Sequence, residues 1–204
     1  MSVATRCSNV STMSQSVVAV SCSPDHTFSK PNVDSITLIA GVGVQGDAHS
    51  GERVKHRYLV QKDPTQPNLR QVHLIQQELF SLVGEHGHDV AAGQLGENIT
   101  TRYIDLLSLP TGTTLQIGPE ATIELTGLRN PCVQIDEFQD GLMKLLRHRN
   151  ADGSIARIGG VMAIVLTGGV VRPGDDITVQ LPPEPHHALT YIVNSHLAEQ
   201  GPDA

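Results

Sequence analysis

The feature that most constrains this chain is its punctuation. Short β-favouring runs appear at Val17–Val20, Ser35–Ile39, Thr114–Ile117, Thr122–Leu125, Val161–Thr167 and Ile177–Leu181. Turn formers such as Pro110-Thr-Gly112, Gly118-Pro119, Gly168-Gly169 and Pro173-Gly174-Asp175 separate them. Many short strands divided in this way predict a mainly β protein with a few helices, built as a closed or half-closed β-barrel. Two stretches depart from the pattern. Val72-His-Leu74 alternates like a strand and leads into a helix predicted from about Gln76, with Leu79, Leu82 and Val83 on one face. Phe138, Leu142, Leu145 and Leu146 form a second helical stripe, with acids near its start, basic Arg147-His-Arg149 near its end, and Asn150–Gly153 as its stop.

At 204 residues, the chain suits one domain with short extensions. Residues 1–16 are Ser/Thr-rich and aperiodic and read as a mobile leader. Residues 17–182 hold the barrel domain. Residues 183–204 hold a Pro-rich turn and a tail in which Leu189, Ile192, Val193 and Leu197 suggest a small helix. A net charge of −7 and 3% aromatic residues argue against a nucleic-acid partner, and the acidic balance argues against anionic membrane surfaces. No apolar run is long enough to span a bilayer. Three cysteines, Cys7, Cys22 and Cys132, do not make a disulfide framework, so the expected home is the reducing cytoplasm, where a thiol stays free to react.

The most informative segment is Thr126-Gly-Leu-Arg129-Asn-Pro131-Cys132. A β run ends here and helical character begins near Asp136, so Cys132 falls in a strand-to-helix turn. A helix N-terminus and the nearby Arg129 cation would both favour the thiolate, which is the nucleophile and the soft-metal ligand. The alternative is a small buried core residue. Gly41, Gly43 and Gly46 spell a literal G-x-G-x-x-G, but no helical stripe follows, so a dinucleotide site is a weak reading. Asp47 and His49 next to it offer an acceptor and a titratable ring, or else an ordinary Asx turn. Glu97 and Asn98 lie between a glycine turn and a β run; the Asn98 amide suits a heterocycle edge, or simply caps a strand. Arg53, Lys55, His56, Arg57 and Arg70 gather basic charge that can receive a phosphate, or form a solvated loop.

In order and texture these segments resemble the MOSC domain family, the C-terminal module of molybdenum-cofactor sulfurases. The resemblance rests on Gly46-Asp47-Ala48-His49, Arg70-Gln71-Val72-His73-Leu74-Ile75, Gly96-Glu97-Asn98 and Arg129-Asn130-Pro131-Cys132, with a closing strand-turn-strand over 160–177. It implies a MOSC-type β-barrel and a functional Cys132, either as ligand to molybdenum in a pterin cofactor or as carrier of persulfide sulfur. It further implies cofactor contacts from Asp47, His49, Arg70, Glu97, Asn98, Thr126 and Arg129, and reduction of N-hydroxylated small molecules. Residues 1–204 show no aminotransferase-like stretch and no iron–sulfur cysteine set, so no pyridoxal phosphate site of its own is expected. Electrons or sulfur would come from outside, from an electron donor or a cysteine desulfurase. Three functions follow as expectations: a molybdenum-dependent oxidoreductase, a non-enzymatic sulfur carrier, and, least supported, a nicotinamide-binding protein.

Overall fold

The fold is that of a computed structural model, which describes residues 14–54, 60–61 and 63–192. Thirteen strands are present among them. They are β1 (Ser16–Ser21), β2 (Asn32–Val33), β3 (Ile36–Ile39), β4 (Gly43–Val44), β5 (Val72–Gln76), β6 (Ile99–Arg102), β7 (Thr114–Ile117), β8 (Ala121–Leu128), β9 (Arg147–Arg149), β10 (Ile155–Arg157), β11 (Val161–Thr167), β12 (Gly169–Val171) and β13 (Ile177–Gln180). Three short α-helices accompany them: α1 (Glu78–Gly84), α2 (Gln134–Phe138) and α3 (Leu142–Leu146).

Eight strands form one sheet in the order β13-β7-β8-β11-β5-β6-β1-β2. The β8 burial pattern alternates without a break: Ala121, Ile123 and Leu125 face the core while their neighbours are half-exposed. That period of two is what a one-sided strand requires. Bulges in the β8–β11 and β1–β6 ladders bend the sheet. It curls until its ends touch at one place, where Ser16 bridges Asp176, Val17 N donates to Asp175 O at 2.9 Å and Ile177 N to Gln15 O at 2.8 Å. The expected mainly β fold with a few helices is present; of the closed or half-closed barrel expected from the sequence no closed barrel forms, and the sheet stays open and meets itself at a single bridge. Two causes limit the closure: β13 begins only at Ile177, and β2 takes the far half of the β1 edge through Val20 and Ser21. A three-stranded sheet, β12-β3-β4, packs alongside.

One pair in the large sheet is parallel, β5 with β6. A parallel pair needs a crossover, and here the crossover carries α1. It also brings the starts of β5 and β6 together, so that His73 lies beside Asn98. Two apolar cores result. The larger fills the curl of the sheet, with Leu74, Leu115, Ile123 and Leu125 among its members. The smaller joins Ile75, Leu79, Val83 and Leu95 to Ile135, Leu142 and Leu146 of the helical arm.

Two sequence expectations need correction. The single helix over Phe138–Leu146 is two helices, because Gly141 adopts φ +83° between them. Arg147–Arg149 do not end a helix; they pair with β10 in a hairpin whose turn is the supposed stop, Asn150–Gly153. The expected terminal helix is also absent as far as the described residues go. Ala188 bridges Pro110 and Tyr191 bridges Leu128, so this segment runs extended; Val193 and Leu197 lie outside the described residues. No helix among the described residues is long and apolar enough to cross a membrane.

Candidate functional site

The segment after β8 carries the cysteine. Leu128 ends the strand, Arg129 N bonds to Gly160 O at 3.0 Å, and Pro131 is buried. Cys132 follows, half-buried, with its carbonyl accepting the first N–H bond of α2 from Ile135 at 3.0 Å. Among the described residues its Sγ has one hydrogen-bonding contact, to Gln134 Oε1 at 3.6 Å. The thiol is neither sealed in the core nor committed to a strong partner. A five-residue α2 has a short dipole, so Arg129 is the larger electrostatic neighbour.

Arg129 is buried, with Nη2 donating to Leu95 O at 3.3 Å. Burial pulls its pKa below the ordinary guanidinium value, while negative charge at Cys132 and then at Glu97 pulls it back up. Its Nη1 has no hydrogen-bond partner among the described residues, and neither has Glu97 Oε2. Glu97 Oε1, by contrast, accepts from Gly93 N at 2.6 Å and from the Thr100 hydroxyl at 3.1 Å. Burial pushes the Glu97 carboxyl above its usual range, and those two bonds oppose the shift.

A second network adjoins the first. Asp47 Oδ2 pairs with Lys30 Nζ at 2.7 Å and accepts from Asn98 Nδ2 at 2.9 Å; its Oδ1 accepts from His49 N at 2.9 Å. Burial alone would raise the Asp47 pKa, but the His49 hydrogen bond and the Lys30 charge hold it well below the usual carboxylate range. Asn98 Oδ1 accepts from His73 N at 3.2 Å. The His73 ring donates through Nε2 to Gly159 O at 2.9 Å, and Gly159 packs against Arg129 and Pro131. Burial first, then the Arg129 charge, push His73 down to about 3, so the ring is neutral at physiological pH.

The structure thus joins Asp47, His49, Asn98, His73, Glu97 and Arg129 into adjoining networks at the root of the cysteine segment. Two expected contacts stand apart. Thr126 spends its hydroxyl on Leu69 O at 2.6 Å and Met162 O at 3.0 Å, bonds that lock β8 to its neighbours. Arg70 turns to the C-terminal segment, where Nη2 donates to Ile192 O at 2.8 Å. Arg53 pairs with Pro67 in an isolated bridge; Lys55, His56 and Arg57, like Cys7, lie outside the described residues. The glycine fingerprint leads into no helix. Gly43 sits in β4 at φ +112°, and a Cβ there would lie 2.8 Å from Gln71 O, so it is a glycine of close packing. Cys22 contrasts with Cys132: burial and then the Asp47 charge push its thiol up.

Sequence reasoning missed Lys30, which lies alone in a Ser-Lys-Pro-Asn loop with no signal. It also gave no role to His73, although a histidine inside the apolar run Val72–Ile75 is a usable sign of a buried polar group. Among the described residues no group of three or more His, Cys, Asp or Glu side chains is placed to hold a metal ion. A metal at Cys132 would need most of its ligands from a cofactor.

The MOSC domain family model matches residues 49–178. No curated protein sequence matches. Among solved structures, the YuaD protein from Bacillus subtilis is similar over 84% of this chain and 98% of its own, with TM-score 0.69 and 22% identity. YiiM from Geobacillus stearothermophilus gives TM-score 0.61 at 17% identity, over 85% of this chain and 79% of its own. YiiM from Escherichia coli gives 0.58 at 18%, over 86% and 73%.

Proposed function

This chain belongs to the MOSC domain family, and from that premise we propose that it binds a molybdenum-pterin cofactor through Cys132 and reduces N-hydroxylated small molecules. The observation that carries the reading is the pair of unpartnered buried atoms, Arg129 Nη1 and Glu97 Oε2, at the root of the segment that presents a half-buried thiol. Buried polar groups are almost always satisfied. A free guanidinium N–H together with a free carboxyl oxygen suits a ligand carrying both acceptors and donors, as a pterin does. Cys132 offers one soft thiolate, which matches a metal held otherwise by sulfur.

When bound, the cofactor would supply the two electrons that cleave an N–O bond. The reduction R–NH–OH + 2 e⁻ + 2 H⁺ → R–NH₂ + H₂O takes those electrons from an external donor. The chain binds and orients. Arg129 holds positive charge beside Cys132. Glu97, whose carboxyl burial favours protonated, can hold a proton on Oε2. Asp47, Lys30 and Asn98 fix the loop around them.

The test is the molybdenum content of protein made in a host that synthesises the cofactor, compared with Cys132→Ala. Wild type should carry the metal and the variant should lose both metal and reductase activity; equal molybdenum in both removes the ligand role. A second reading is kept by the weak hold on the Cys132 Sγ, one 3.6 Å hydrogen-bonding contact among the described residues. In it the thiol takes sulfur from a desulfurase persulfide, Cys–SH + R–S–SH → Cys–S–SH + R–SH. Mass spectrometry after incubation with the donor separates the two: one added sulfur on Cys132, without metal, favours the carrier.

A further inference from the structure

A groove opens on the helical arm, among residues that neither the Asp47 network nor the Arg129–Glu97 pair uses. It lies between the end of α1, the end of α3 and the chain just past β10, and holds about 450 Å³. Val83, Leu145 and Ile158 form its floor and Leu82 one wall, while His86, Lys144 and His148 stand around it.

The floor exists because the smaller core stops short of the surface. Val83 belongs to that core with Leu142 and Leu146 of α3. Leu146 O accepts from Ile158 N at 3.0 Å, which draws the chain past β10 over the arm. Leu145 and Ile158 are left half-buried, and Leu82 is 43% exposed. A lone exposed leucine is ordinary; one that continues into three more aliphatic side chains marks a place to bind.

The polar residues at the groove are of one kind. Lys144 is exposed and has no ion-pair partner among the described residues. Each imidazole is tied to its own helix end, His86 Nδ1 to Leu82 O at 3.0 Å and His148 Nδ1 to Leu145 O at 3.1 Å. The lining holds no acidic side chain, although the chain carries a net charge of −7. Aliphatic walls beside an unpaired ammonium complement a molecule with an apolar body and an anionic head. Size selects among such molecules. A protein partner needs roughly 20–30 residues a side, and this groove offers seven. Its volume falls within the roughly 300–1,000 Å³ of small-molecule sites.

We propose that the groove binds a free medium-chain monocarboxylate, its aliphatic body on Val83, Leu145 and Ile158 and its carboxylate paired with Lys144. Burial of the chain supplies most of the affinity, and Lys144 selects the acid over a neutral molecule of the same shape. The inference does not depend on the chemistry at Cys132, so it stands or falls apart from the proposed function.

The experiment is calorimetric titration of the full chain with octanoate, with 1-octanol as the neutral probe. Octanoate should bind one per chain and about three- to fivefold tighter than 1-octanol. Hexanoate, two methylenes shorter, should bind about tenfold more weakly than octanoate. Lys144→Gln should erase the preference for the acid and leave 1-octanol binding unchanged. Leu82→Glu, a change at an exposed position, sets a like charge against the carboxylate and should weaken octanoate more than tenfold. The proposal is overturned if octanoate shows no saturable binding, if 1-octanol binds as tightly, or if Leu82→Glu binds octanoate as wild type does. Two other occupants would overturn it as well. Phosphatidylglycerol vesicles that bind the protein while monomeric octanoate does not would assign the groove to a membrane surface. A dimer that Leu82→Glu abolishes and octanoate leaves intact would assign it to a second copy of the chain.

Discussion

The two polar networks at the site are built from similar residues and differ in one respect. Around Asp47, both carboxylate oxygens are occupied, by Lys30, Asn98 and His49. Around Arg129, one guanidinium nitrogen and one oxygen of Glu97 are buried and unpaired. A satisfied network rigidifies a fold; an unsatisfied one costs stability and is kept where something else uses it. Under the proposed function, the Asp47 network is the frame and the Arg129–Glu97 pair is the working face.

That distinction breaks if stability and function respond alike to mutation. The largest stability effect should come from Lys30→Met, which leaves Asp47 as a buried charge without its cation. A loss of about 3–5 kcal/mol is expected in denaturant unfolding, with much of it regained in Lys30→Met/Asp47→Leu. A loss under about 1 kcal/mol would mean that the pair is not the frame.

Acid should produce the next effect. The folded His73 pKa, about 3, lies below the ordinary value of about 6.5, so its contribution is complete above pH 6.5 and is lost as pH falls toward 3. The slope from this group is at most about 1.4 kcal/mol per pH unit. Asp47 acts in the same sense below about pH 4, because its folded pKa is depressed. Glu97 acts in the opposite sense, because its own is raised. His73→Gln should flatten unfolding free energy between pH 6.5 and 4.5; an unchanged slope there would assign the acid lability elsewhere.

The smallest stability change should come from the working face. Glu97→Gln should leave unfolding within about 1 kcal/mol of wild type at pH 7, or stabilise slightly, since it replaces a carboxyl whose charged form burial penalises. Molybdenum content should nonetheless fall severalfold in elemental analysis. A Glu97→Gln protein that is badly destabilised yet fully loaded would exchange the roles of the two networks.

Strands β7, β8 and β11 were legible because each carries its own burial alternation; β7 and β11 begin and end at the residues the sequence suggested. The short strands β2, β4, β9 and β12 were not, since two or three residues become a strand only when a partner supplies the hydrogen bonds. Helix propensity misled at Phe138–Leu146, where an apolar stripe continues across a glycine that the backbone turns through. At the site, the resemblance brought forward Asp47, Asn98, Glu97 and Arg129, which the fold joins. It also brought forward Thr126 and Arg70, which the fold employs in bonding β8 and in holding the C-terminal segment. The partners that fix those roles, Lys30 and Tyr191, are distant in sequence from the motifs they serve, and no local pattern announces them.

The lone bridge between Ser16 and Asp176 also has a meaning for biosynthesis. Strand β1 meets its closing neighbour only when Asp176, far along the chain, has been made. Until then its outer rim stands open to any extended chain nearby, the situation that invites aggregation. A nascent copy of this protein therefore stays vulnerable at β1 until the segment that leads into β13 has been released.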